Sequence, residues 1–176
     1  HPSAESQDVA FLGRDHRDTE RASSRRGQDM PRQEVLDADE PRDAPIRYVP
    51  SEHPAALALG GTAWRVDPRS NRQGLRLSGA ALPADVPGAI SAPVAPGTVQ
   101  LPPDGQPIVL LADAQTVGGY ARLGHVASVD LPRLAQRLPG DALQFTPIDA
   151  GTARALMLAR RHRHARAALA VSQRST

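Results

Sequence analysis

The 176-residue chain contains no lysine and no cysteine, and its aromatic residues are one Trp, two Tyr and two Phe. Without cysteine, disulfides and thiolate metal sites are excluded. Without lysine, neither a phosphate-loop lysine nor a Schiff base can form. No apolar run approaches the ~20 residues of a membrane span, and the N-terminus lacks the apolar core of a signal peptide. A soluble, cytoplasmic protein is the expectation. Position 1 is His rather than Met, which we read as a start lost or processed.

Charge and apolar content divide the chain. Residues 1–45 carry 7 Arg and 11 acidic residues, with Phe11 as their only aromatic. Such a segment buries too little apolar surface to offset the entropy of ordering, so a disordered tail or unrelated extension is expected, with at most a marginal helix around 33–39. Residues 46–150 hold nearly all the Val, Leu and Ile and balance 8 Arg with 8 acids. Residues 151–176 carry 6 Arg and no acid. With Ala, Pro and Arg all abundant, the arginine count reads as a bias of GC-rich coding. Clustered arginines attract phosphate, but no aromatics interleave them, and cations at a helix C-terminus oppose the helix dipole in any case. Nucleic acid is therefore not the expected partner.

Short alternating stretches predict strands at Ile46–Pro50, Trp64–Val66 and 75–77, the continuous apolar run at 108–111 predicts the most buried one, and further short strands are expected at Thr98–Leu101, 126–129, 142–146 and 89–90. Seven prolines among residues 79–107 exclude a helix there. Two helices are predicted. The first, 131–137, has Asp130 at the N-cap, Pro132 in its first turn and Pro139-Gly140 beyond its end. The second runs from about 149 to 171, with Thr152 as its expected cap. Many short strands with Gly/Pro turns indicate a small, mainly antiparallel β-barrel over 46–150 with a peripheral, basic C-terminal helix.

The candidate site follows the strand at 108–111. Asp113 and Gln115 alternate with alanines, so on an extended chain both face one way. A Gln amide offers donor and acceptor together and suits an amide, lactam or ureido group. Thr116 and the pair Gly118-Gly119, with Tyr120 after them, either bring backbone close to a ligand or form a turn. In the plainer alternative Asp113 and Thr116 cap that turn and Tyr120 packs its ring. In the turn Ser70-Asn71-Arg72, Arg72 can grip a carboxylate or phosphate with two parallel hydrogen bonds; the alternative is an Asx-turn at Asn71 beside a solvated arginine. The six histidines lack metal-ligand spacing with acids, so no metal is expected.

Three ordered motifs carry a resemblance. They are Ser70-Asn71-Arg72-x-Gly74-x-Arg76-Leu77, then Pro96-Gly97-x-Val99-Gln100-x-Pro102-x-Asp104-Gly105-x-Pro107, and Ala112-Asp113-x-Gln115-Thr116-x-Gly118-Gly119-Tyr120. Behind them stand Asp130-Leu131 and Leu134-Ala135-Gln136-x-x-Pro139-Gly140-Asp141. From residue 46 to about 170 the chain resembles the carboxyltransferase A/B family, also called allophanate hydrolase subunit 2, which includes the C subunit of 5-oxoprolinase, the KipA regulator and part of urea carboxylase. It resembles only the C-terminal of the family's two barrel-like halves, which implies a truncated form. It departs from the family's usual pattern at Gln73 (Met), Ala114 (Arg), Val117 (Thr) and Ala121 (Pro).

The resemblance implies a cyclophilin-like fold and a role like that of the C subunit in ATP-dependent 5-oxoprolinase, opening a lactam to glutamate. The implied partners are a KipI-like B component and a LamB/YcsF-like A component, with ATP handled at the level of the complex. It would assign Arg72 to the substrate carboxylate, with Asn71 beside it. Gln115, Thr116, Gly118, Gly119 and Tyr120 would face the lactam, and Asp113 would orient these groups or act as a base. Two other family activities remain open. One is biotin-dependent carboxyl transfer to urea or a similar amide, with biotin supplied by another chain because this one has no lysine. The other is non-enzymatic, KipA-like binding of a KipI-like partner.

Overall fold

In the computed structural model, residues 40–84 and 91–174 are described. All of them belong to one unit spanning Leu36–Thr176. The expected N-terminal tail and the short strand at 89–90 fall, wholly or mainly, outside the described residues.

The elements in chain order are β1 (Ile46–Pro50), α1 (Ala58–Gly61), β2 (Trp64–Val66), β3 (Gly74–Ser78), β4 (Ala92–Pro93), β5 (Thr98–Leu101), β6 (Ile108–Leu110), β7 (Val117–Gly118), β8 (Ala121–Val126), α2 (Leu131–Ala135), β9 (Ala142–Leu143), β10 (Phe145–Pro147) and α3 (Ala150–Arg174). Eight strands form one sheet in the order β10-β1-β8-β5-β6-β3-β2-β9, while β4 and β7 pair apart as a two-stranded ribbon. Every pairing is antiparallel except β1 with β10. The two outermost strands, β9 and β10, are separated by Gln144 alone, and the Gln144 carbonyl accepts a 2.8 Å hydrogen bond from Ile46 N. One continuous segment thus serves both edges. The sheet curls into a nearly closed barrel that leaves few strand edges open. This is the mainly-β, barrel-like architecture expected, with one parallel pair added.

Alternation places one face of each strand inside. Tyr48, Val66, Leu75, Leu77, Val99, Val109, Leu123 and Phe145 fill the barrel with Trp64 and Leu59. The two largest aromatics satisfy their polar ends within the core: Trp64 Nε1 donates to Leu59 O at 3.0 Å and Tyr48 OH to Ala56 O at 2.8 Å.

Three local expectations are corrected. The strand expected at 126–129 is instead the end of β8, and residues 127–129 form the turn into α2. Residues 142–146 are two strands rather than one, because Gln144 is where the chain leaves one sheet edge for the other. Asp149, not Thr152, caps α3: its carboxylate accepts from Thr152 N at 2.8 Å and from Thr152 Oγ1 at 2.6 Å. Asp130 does occupy the N-cap position of α2, but its side chain makes no cap hydrogen bond, being held by Arg47 and Arg133. No helix among the described residues is long and apolar enough to cross a membrane.

Candidate functional site

The site is built on the outer face of the barrel. In β5, Val99 and Leu101 point into the core, so Thr98 and Gln100 face outward. Gln100 is nevertheless only 2% exposed. The two-stranded ribbon of β4 and β7 lies over it: a Cβ placed on Gly118 would sit 2.2 Å from Gln100 Nε2 and 3.2 Å from Val94 Cγ1. The absence of a Cβ at 118 permits this close approach, while the backbone there is not left-handed. Among the described residues Gln100 Nε2 has no hydrogen-bond partner, although a buried unpaired donor costs about 1–3 kcal/mol.

Register explains which residues join it. Ile108 pairs with Arg76 on one side and with Gln100 on the other, so Arg76, Ile108 and Gln100 form one row across three strands. A β-bulge in the β5–β8 pair contributes as well. Val99 pairs with Gly124 and Gln100 with Arg122, leaving Leu123 as the extra residue. Gly124 permits this crowding, since a Cβ there would lie 2.4 Å from Val49 O.

Over that row the 112–120 loop forms a wall. The resulting cleft, about 180 Å³, has Gln100, Arg76 and Ile108 on one side and Gln115 and Tyr120 on the other, with Asn71 at its margin. No side-chain hydrogen bond or ion pair of Arg76 is present among the described residues. With Gln73 also on its lining, the cleft offers four carboxamides, a guanidinium and a phenol to a compact polar ligand, in less space than the ~300–1,000 Å³ of common ligand clefts.

The remaining expected residues lie elsewhere. Residues 112–113 are a turn, not extended chain, so Asp113 and Gln115 do not share a face. Asp113 lines a neighbouring 380 Å³ cleft with Arg72 and Arg137. Arg72 Nε stands 3.4 Å from Asp113 Oδ2, and both side chains are largely solvated. Asn71 makes the Asx-turn: its Oδ1 accepts from Gln73 N at 2.9 Å and Gly74 N at 3.3 Å. Backbone bonds from Leu111 N to Gln73 O (3.0 Å) and Asp113 N to Arg72 O (3.3 Å) tie this hairpin to the loop. Thr116 is exposed, and its carbonyl accepts from Val94 N at 2.9 Å, extending the ribbon. Gly119 is exposed, with room for a Cβ 3.6 Å from Ser91 Oγ.

Reading residues alone missed Gln100 and Arg76 as site residues. Arg76 carried a signal, since between Leu75 and Leu77 it must face away from the core. Gln100 carried none of its own, because its burial depends on a ribbon of two-residue strands without a pattern.

A family model described as the carboxyltransferase domain, subdomain A and B, matches residues 5–147, a span that begins within the acidic N-terminal segment. The C subunit of 5-oxoprolinase from Haemophilus influenzae is 41% identical over 86 residues, which are 48% of this chain and 28% of that protein. Its counterpart in Escherichia coli is 42% identical over 89 residues, 50% of this chain and 29% of the relative. The match thus spans under a third of these relatives. Among solved structures, that of TTHA0988 superposes with a TM-score of 0.54 at 38% identity, covering 62% of this chain and 22% of the other.

Proposed function

The chain belongs to the carboxyltransferase family of subdomains A and B, and from that premise we propose that it serves as the counterpart of the C subunit in an ATP-dependent 5-oxoprolinase. The observation that carries the reading is the cleft in which Gln100, Gln115 and Arg76 converge. A lactam presents one N–H and one C=O in a fixed cis arrangement, and carboxamides complement that pair. The guanidinium of Arg76 suits the ring's carboxylate. The names of the two bacterial relatives support the same substrate class.

In this proposal Arg76 takes the carboxylate role that the sequence assigns to Arg72. Arg72 and Asp113 act at one remove, holding the 112–113 turn against the hairpin so that Gln115 faces the cleft. Tyr120, 48% exposed, forms the rim. Opening of the lactam consumes water and is driven by ATP. ATP, a KipI-like B component and a LamB/YcsF-like A component belong to the complex rather than to this cleft.

The test is glutamate release from 5-oxoproline by the chain mixed with those two components and ATP. Arg76→Ala should raise KM for 5-oxoproline at least about tenfold, as loss of one charge-assisted pair predicts. Arg72→Ala should act less, and mainly through kcat. A complex that forms but releases no glutamate would overturn the oxoprolinase reading; binding of the KipI-like component alone would then favour a non-enzymatic role. Carboxylation of urea by a carboxybiotin carrier would favour transfer.

A further inference from the structure

Among the described residues, three buried side-chain nitrogens lack a hydrogen-bond partner, on His53, Gln100 and Arg137. The Gln100 carboxamide belongs to the cleft already described, and of the other two only Arg137 carries a permanent charge. Arg137 stands just beyond α2, where its backbone N–H donates to Leu134 O at 3.1 Å. Its Nη2 donates to the Arg42 carbonyl. Its Nε is buried and unmet, while Nη1 has no partner among the described residues and reaches solvent. No carboxylate of the described residues lies within ion-pair distance of it. Asp141 and Asp43 attract it from farther away, Arg42 and Arg133 oppose them, and Asp141 is itself paired with Arg42 at 3.2 Å. Burial lowers the Arg137 pKa from the usual arginine value, yet a guanidinium stays protonated at neutral pH. A partly shielded charge without a counterion is the exception in folded proteins.

We propose that the 380 Å³ cleft lined by Arg137 binds a small organic monocarboxylate with an apolar body. Of the charged residues on this lining, Arg72 and Asp113 hold each other at 3.4 Å, which leaves the single charge of Arg137. One surplus positive charge selects a monoanion. Leu75, Leu111, Ala135 and Pro139 form an apolar part of the same lining. A hydrated inorganic anion gains nothing from that surface, whereas an alkyl or aromatic body buries against it. The carboxylate gives Arg137 an acceptor and a countercharge together, in a bond roughly twice as strong as a neutral one. The volume lies at the lower end of the ~300–1,000 Å³ that encloses small molecules.

The cleft shares only Asn71 with the one that holds Gln100 and Gln115. The inference does not rest on the oxoprolinase reading, in which Arg76 takes the substrate carboxylate, and its test needs no turnover.

The experiment is an NMR titration of the full isotope-labelled chain with benzoate at physiological salt, with benzamide and inorganic phosphate in parallel. Benzamide keeps the ring without the charge, and phosphate keeps charge without the ring. Saturable shifts are expected for the amides of Arg72, Ala112 and Arg137, with benzoate at least about tenfold tighter than either control, the weight of one charged hydrogen bond. R137M removes the charge and should weaken benzoate at least about tenfold. A135L fills the cleft from α2 without touching a charge and should weaken it as much, so the site stays testable where R137M unfolds. R161A removes a charge from an exposed position of α3 outside the cleft and should leave affinity within about twofold, the residual effect of screened charge. Absence of saturation, equal affinity for benzamide or phosphate, or wild-type affinity in folded R137M or A135L would each overturn the proposal. So would shifts confined to Gln100 and Gln115, which would seat the acid beside Arg76 in the other cleft.

Discussion

Arg47 and Asp130 form a two-pronged ion pair, Nε to Oδ2 at 2.9 Å and Nη2 to Oδ1 at 2.7 Å, with Asp130 only 1% exposed. The Arg47 backbone N–H also donates to Oδ2 at 2.8 Å. The pair fastens the start of α2 to β1, across 83 residues of sequence. Removing one partner of a buried pair leaves an uncompensated charge and costs about 3–5 kcal/mol. Asp130→Ala should therefore lower the denaturation midpoint well beyond what an exposed substitution does, measured by urea unfolding. A loss below about 1 kcal/mol, the level of a solvated pair, would show that the pair is not shielded.

Acid should unfold the barrel through several carboxylates together. Burial alone would raise the Asp130 carboxyl, but hydrogen bonds from Arg47 outweigh it and hold the group below the ordinary aspartate value. The Arg69 hydrogen bonds hold Asp67 far below that range, and Thr152 lowers Asp149. A carboxylate depressed in the folded state stabilises above its unfolded pKa of about 3.9, and that stability is lost as pH falls through the folded value. Burial also keeps the His125 imidazole neutral in the fold, so thermal stability should decline as pH falls below about 6.5 and drop more steeply below about pH 4, where the carboxylates protonate. Trp64, the single tryptophan and 1% exposed, reports the transition as a red shift in emission. Stability that rises on acidification through pH 4 would contradict this assignment.

The Trp64 indole supplies a separate test of the core. Trp64→Phe leaves the Leu59 carbonyl without its 3.0 Å donor and removes part of a fully buried ring. The lost bond costs about 1–3 kcal/mol and the residual cavity adds to it. Chemical denaturation should show a loss of at least that size. A neutral substitution would mean that water reaches Leu59 O.

Much of this architecture was legible in the sequence, for reasons that differ by element. β1 and β5 fall at their predicted bounds, Ile46–Pro50 and Thr98–Leu101, because alternation and a flanking proline act locally. The helix signals around Asp130 and Pro132 were also local, and α2 lies within the predicted span. What the Asp130 side chain does was not legible, since its partner comes from a distant strand. The same holds for the site. Asn71 reads as an Asx-turn from its neighbours alone, whereas the separation of Asp113 from Gln115 depends on a turn zipped to another hairpin. Gln100 looks like an ordinary outward strand residue until the ribbon of β4 and β7 covers it.

Adjacent glycines of that ribbon should respond differently to the same change. At Gly118 an added Cβ would meet Gln100 Nε2 at 2.2 Å. Gly118→Ala must displace the carboxamide or the ribbon, with an overpacking cost of about 1–3 kcal/mol. At Gly119 the nearest atom is Ser91 Oγ at 3.6 Å, ordinary contact. Gly119→Ala should be close to neutral in thermal unfolding. Equal effects at the two positions would show that the ribbon does not rest on Gln100.

Gln100 itself offers the sharpest separation of stability from function. Its Nε2 lies buried without a partner among the described residues, so folding leaves the donor unmet. Leucine has similar volume and no donor to desolvate. Gln100→Leu should therefore keep the melting temperature or raise it, by up to the about 1–3 kcal/mol of the unmet donor. The same substitution should weaken 5-oxoproline binding, because the cleft loses the carboxamide at its floor and keeps only those of Asn71, Gln73 and Gln115. Stability comes from thermal unfolding of the chain and affinity from KM in the reconstituted complex. A variant that melts lower and binds normally would make Gln100 a packing residue of the ribbon and leave Gln115 and Arg76 as the polar contacts of the cleft.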